Sequence, residues 1–195
     1  MKATQTLTGR ERFIQIAAEL FLTDGFGPVG LDQIIGAAGV TKTTFYKHFE
    51  SKDDLILAVI EHKHREEMAA MDEYLRLNAT TPRQQILAFF DAIDAWLADN
   101  DFRGCIFLNA ATEFPHESDP IHKAAIGHGE AVVTLMREKA IECGADRADA
   151  QQFAMDMYVL ITGAIMTRRT AGQRDAAKLA KRTAEMLLER LLARS

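Results

Sequence analysis

The residues best equipped for chemistry in this chain lie within one short stretch, "GVTKTTFYKHFESKDDL" (39–55). Lys42 and Tyr46 are four apart, as are Thr43 and Lys47, so on a helix these four side chains share a face. Phe45 and Phe49, also four apart, mark the opposite face. The polar set contains donors and acceptors but no nucleophile. Lysine reaches phosphate or guanine, and threonine bonds a base edge or touches a thymine methyl. Lys52 follows Ser51 at the start of the next helix, beside exposed backbone N–H groups, the makings of a phosphate site.

These residues need short helices and a tight turn to hold them. Thr8 and Glu11 form a capping box ahead of Phe13, Ile14, Ala17, Leu20 and Phe21, and Gly25 ends that helix. A second helix runs from Leu31 to Ala38, with Leu31, Ile34 and Ala38 inward. Gly39 permits the turn. Thr41 caps a third helix ending near Phe49, and Ser51 caps a fourth. Two short helices joined by a glycine-containing turn make a helix-turn-helix, whose second helix enters the major groove of DNA.

The rest also reads as helices, at about 52–78, 83–98, 104–114, 119–143, 147–170 and 174–193, with prolines only at breaks and no period-two strand pattern. The fold class expected is all-α, with about nine helices. Composition shifts near residue 55, from short helices with tight turns to long apolar or amphipathic ones, and divides the chain into an expected helix-turn-helix domain, 1–50, and a second domain, 51–195. The apolar arcs of the last two helices (Phe153, Met157, Ile161, Ala164 and Ile165; Ala176, Ala180, Thr183, Leu187 and Leu191) exceed what one small core needs and point to a homodimer.

Other chemistries find less support. His62 and His64 are two apart, and His116, His122 and His128 six apart, so neither set shares a helix face as metal ligands do; no metal and no cofactor is expected. No acid, base and nucleophile converge, which argues against an enzyme. Phe89, Phe90, Trp96, Phe107, Phe114, Met136, Met155 and Tyr158, interleaved with Asn109 and Thr162, have the make-up of an apolar small-molecule pocket with a few orienting groups, although each alone also suits plain core. Cys105, at a helix start, suits either packing or an electrophile sensor.

The 195 residues carry a net charge of −5, and residues 1–56 hold six Lys and Arg against seven Asp and Glu, so a DNA reading rests on placement rather than bulk charge. No apolar run is long enough to span a bilayer and "MKATQTLTGRER" lacks a signal-peptide core, so no membrane role and a cytoplasmic location are expected. Two cysteines make no disulfide framework.

Residues 9–55, through "AAELFLTDGF", "LDQIIGAAGVTKTTFYKHF" and "SKDDL", resemble the DNA-binding domain of the tetracycline-repressor (TetR) family of bacterial regulators. "GCIFLNAATEF" (104–114) is similar to a segment common in one subset of that family. The resemblance implies a homodimer on a roughly palindromic double-stranded operator, usually a repressor, released by a small-molecule effector. Carried over by position, its DNA contacts are Thr41, Lys42, Thr43, Tyr46, Lys47, His48 and Lys52. Gly30 stands where the family usually has Thr or Ser, which removes a side-chain phosphate contact, and Lys47 stands where an aromatic is more usual. Two alternatives share the fold: a DNA-anchored protein-interaction module, and a thiol redox regulator acting through Cys105.

Overall fold

The computed structural model describes residues 8–193, so the first seven residues of the stretch inspected for a signal peptide lie outside it. All regular structure among the described residues is helical: α1 (Gly9–Asp24), α2 (Leu31–Ala38), α3 (Lys42–Tyr46), α4 (Lys52–Asn78), α5 (Pro82–Ala98), α6 (Ile106–Glu113), α7 (Pro120–Glu142), α8 (Arg147–Ala171) and α9 (Ala176–Leu192). The described residues form two compact units, one within 1–65 and 105–126 and one within 66–104 and 127–195. These units are drawn differently from a division at residue 50, because α6 and the start of α7 join the first helices.

In the first unit local signals set the helix ends. The Thr8 hydroxyl accepts from the Glu11 N–H at 3.3 Å while the Glu11 carboxylate accepts from the Thr8 N–H at 2.8 Å. The Gly25 N–H, at φ 88°, closes α1 on the Phe21 carbonyl. Gly39, at φ 64°, ends α2 in the left-handed region that glycine enters without steric cost. Thr41 caps α3 by accepting from the Thr44 N–H at 3.2 Å. α3 ends at Tyr46, earlier than expected, because the N–H groups of His48 and Phe49 both turn onto the Phe45 carbonyl.

An aromatic cluster fills this unit. Phe13 meets Phe45 and Phe49 edge-on, at centroid distances of 5.4 and 6.0 Å. Phe21 packs on Phe26 at 4.9 Å. All five are buried, with Ile34, Ile56, Val59, Phe107 and Ile121 around them. Each phenylalanine withdrawn from water contributes about 1.5–3 kcal/mol, which fixes α3 through two anchors on one side.

In the second unit α5, α8 and α9 pack on one another. Small residues of α9 (Ala176, Ala177, Ala180 and Ala184) are buried and let the backbones approach closely. Lys181 bonds Asp91 at 2.6 Å, and the Arg168 Nε donates to the Leu97 carbonyl at 2.8 Å.

Most residues of the apolar arcs assigned to a dimer face lie in the chain's own core, whereas Leu187 is half-buried and Thr183 exposed. Phe153, Met157, Ile161, Ala164, Ile165, Ala176, Ala180 and Leu191 are buried within the single chain. The large exposed apolar side chains of α8 and α9 are Met155, Val159, Met166, Leu179 and Met186. A helix that is apolar over most of its circumference does not reveal from spacing which arc its own chain covers.

Candidate nucleic-acid interface

Because Phe45 and Phe49 point into the aromatic cluster, the other side of α3 faces water. Thr41, Lys42, Thr43, Tyr46, Lys47 and His48 are all exposed. The Tyr46 ring, 52% exposed, stands edge-on to Phe45 at 5.3 Å and projects outward. The Lys42 ammonium lies 3.9 Å from Asp32, a solvent-facing pair that costs little to break. The Thr41 hydroxyl is already occupied as the cap of α3 and by the Thr44 hydroxyl at 3.0 Å. His48 leans over the start of α1, with its ring 6.2 Å from Phe13 and its Nε2 at 3.0 Å from where a Cβ on Gly9 would lie. α2 begins at Gly30 with no side-chain cap, so its leading N–H groups lack the partner a Thr or Ser there would supply.

Lys52 is placed otherwise than its position in the sequence suggests. Its ammonium donates to the carbonyls of Phe26 and, at 3.3 Å, Gly27, in the loop between α1 and α2. The same loop is held on its donor side by Glu113, the last residue of α6. The Glu113 carboxylate accepts from the Phe26 N–H at 3.0 and 3.2 Å and from the Gly27 N–H at 2.9 Å. Sequence reasoning missed this role. One local signal pointed to it: Glu113 puts an anion at a helix C-terminus and Lys52 a cation at a helix N-terminus, both opposed by the helix dipole.

The ten residues expected around a ligand divide between the units. Phe107, Asn109 and Phe114 belong to the first, where Phe107 is buried and Phe114 packs edge-on to Phe26 at 5.7 Å. The other seven belong to the second. Phe89, Phe90 and Met136 are buried; Trp96 is half-buried and lies edge-on to Phe102 at 5.0 Å. The Thr162 hydroxyl bonds the Tyr158 carbonyl at 2.9 Å, and the Tyr158 hydroxyl occupies the space a Cβ on Gly129 would need. Met155 points to solvent at 42% exposure. Among the described residues no three His, Cys, Asp or Glu side chains group as metal ligands.

The family profile described as "Bacterial regulatory proteins, tetR family" matches residues 13–59. A second, "Tetracyclin repressor-like, C-terminal domain", matches 82–184, more than half of the chain. The chain belongs to the TetR family. A TetR-family regulator from Streptomyces coelicolor superposes with a TM-score of 0.87 at 27% identity, over 94% of this chain and 96% of that one. The transcriptional repressor NemR of Escherichia coli K12 is 25% identical over 162 residues, 80% of this chain and 81% of NemR. The transcriptional activator FasR of Mycolicibacterium smegmatis is 30% identical over 137 residues, 68% of this chain and 61% of FasR. This TetR-family chain is therefore a DNA-binding transcriptional regulator rather than an enzyme, while its relatives include both a repressor and an activator.

Proposed function

We propose that this TetR-family chain is a homodimeric repressor that reads a roughly palindromic double-stranded operator and leaves it when a small, mostly apolar molecule binds. The observation that carries the DNA part is the outward face of α3, with Lys42, Thr43, Tyr46 and Lys47 opposite two buried phenylalanines. Lys42 and Lys47 reach guanine or phosphate, Thr43 meets a base edge, and the uncapped N–H groups of α2 donate to a phosphate oxygen. Thr41 and His48 border this face. Residues 1–50 carry the DNA-binding function and 51–195 ligand binding and dimerisation.

The dimer reading draws on the exposed Met155, Val159 and Met166 of α8, at spacings of four and seven, and on Leu179 and Met186, seven apart on α9. Each row is one helical stripe. Two α3 helices in a dimer meet half-sites about 34–36 Å apart.

For the effector, Trp96, Tyr158 and Thr162 supply half-buried aromatic and hydroxyl groups without net charge. A ligand releases DNA only in so far as it binds the DNA-free state more tightly. The test is a pair of titrations on Trp96 fluorescence, with and without a duplex selected from random-sequence DNA. Weaker ligand binding in the presence of the duplex is expected; equal affinity in both refutes induction, and failure to select any duplex refutes the operator reading.

A further inference from the structure

Glu113 and Lys52 hold the N–H and the carbonyl sides of the same two residues, Phe26 and Gly27, and the peptide group between them is held from both sides. The α6 carboxylate takes the Phe26 and Gly27 N–H groups and the α4 ammonium takes their carbonyls. We propose that this pair is a two-sided clamp whose task is to set the helix-turn-helix in its DNA-binding geometry, with both side chains acting as positioning residues rather than DNA contacts. The proposal rests on the operator reading above.

Four observations support it. The clamped loop is the whole connection between α1 and α2, and Gly30, which follows it, starts α2 with open N–H groups. Phe26, between the clamped groups, is fully buried against Phe21, so a displaced loop pulls on the aromatic cluster that anchors α3. The loop is shaped for the carboxylate. A Cβ on Gly25 would lie 3.3 Å from Glu113 Oε1 at a φ that side chains rarely adopt, and one on Gly27 would lie 3.7 Å from Oε2. Lastly, each charge sits at the helix end where the dipole disfavours it, so local helix stability does not account for either residue.

The consequence is a route from α6 to the DNA-reading helices. Bonds of 2.9–3.2 Å leave hydrogen-bonding range after a displacement of α6 by about an ångström. Such a shift releases the N–H side of the loop while Lys52 still holds the carbonyl side, and α2 loses its fixed orientation.

The test compares wild type with Glu113→Gln, Glu113→Asp and Lys52→Gln on a duplex selected from random-sequence DNA with the wild type. Affinity is measured across a salt series, and amide exchange is followed at Phe26 and Gly27. The clamp predicts that each variant stays folded by circular dichroism and binds about tenfold more weakly, the scale of losing charge-assisted hydrogen bonds. It also predicts the wild-type salt slope, faster exchange at both amides in the Glu113 variants, and a double variant no weaker than the worse single one. Glu113→Asp keeps the anion but shortens its reach, so weakening there separates position from charge. Three results overturn the proposal: undiminished affinity in the Glu113 variants despite faster exchange, a Lys52→Gln salt slope lower by about one, which marks a lost phosphate contact, or additive losses in the double variant. A wild type that selects no duplex refutes the operator reading instead.

Discussion

Lys47 and Lys42 take their meaning from what lies behind them. Phe45 and Phe49 hold α3 so that both lysines face water, and water is where DNA approaches. If Lys47 reads a base, Lys47→Ala should weaken the selected duplex by about 1–3 kcal/mol. Electrophoretic mobility shift checks this, and a folded Lys42→Ala/Lys47→Ala variant that binds normally contradicts the assignment. Cys143 behaves differently. Partial burial, and after it the Glu142 charge, push its thiol above the usual range, while Arg83 and Lys139 offset this in part. A raised thiol pKa leaves less thiolate at any given pH, so Cys143 should react with iodoacetamide more slowly than free cysteine at neutral pH and approach it only in alkali. Equal rates at pH 7, followed by mass spectrometry, would contradict that.

Among the elements, α1 and α5 start with the same device built from different chemistry. α1 uses Thr8 with Glu11, and α5 uses Thr81 with Gln84, whose N–H bonds the Thr81 hydroxyl at 3.2 Å. Hydrogen bonds from the Thr8 backbone and side chain hold the Glu11 carboxyl below its ordinary value. A depressed carboxyl pKa adds stability above the unfolded value, and that contribution is lost as pH falls through the lower, folded one. Gln84 does not titrate. Thr81→Ala should therefore cost about 1 kcal/mol at every pH, whereas the loss from Glu11→Gln should be largest near neutrality and vanish in acid. Urea unfolding at pH 7 and pH 3 tests both, and a pH-dependent Thr81→Ala effect would be contrary. The element boundaries were largely legible in the sequence, because caps, glycines and prolines act within a few residues. α3 fell short of Phe49 because its last bonds converge on one carbonyl.

At the scale of the whole molecule, assembly depends on the stripes that the chain leaves uncovered. Val159→Glu with Met186→Glu should give monomers by light scattering with helicity retained, since both side chains are 64% exposed in the single chain and tolerate a carboxylate there. In a dimer interface the same carboxylates would be buried without partners. An unchanged mass would move the interface elsewhere. By contrast Leu191→Glu should unfold the protein, because Leu191 is core. By itself the sequence determined the all-helical class, most helix ends and the outward face of α3, since each follows from propensity and spacing along a single helix; the family was legible through the resemblance of residues 9–55. The tertiary structure alone decided which arc of α8 is core, because both its arcs are apolar and only neighbouring helices choose between them. It alone took Lys52 from an expected phosphate to the Phe26 and Gly27 carbonyls, and it alone brought Glu113 to a loop 86 and 87 residues away. A hydrogen bond between groups so far apart in the chain leaves no periodic trace; its only sign was a charge at each helix end where the dipole opposes it.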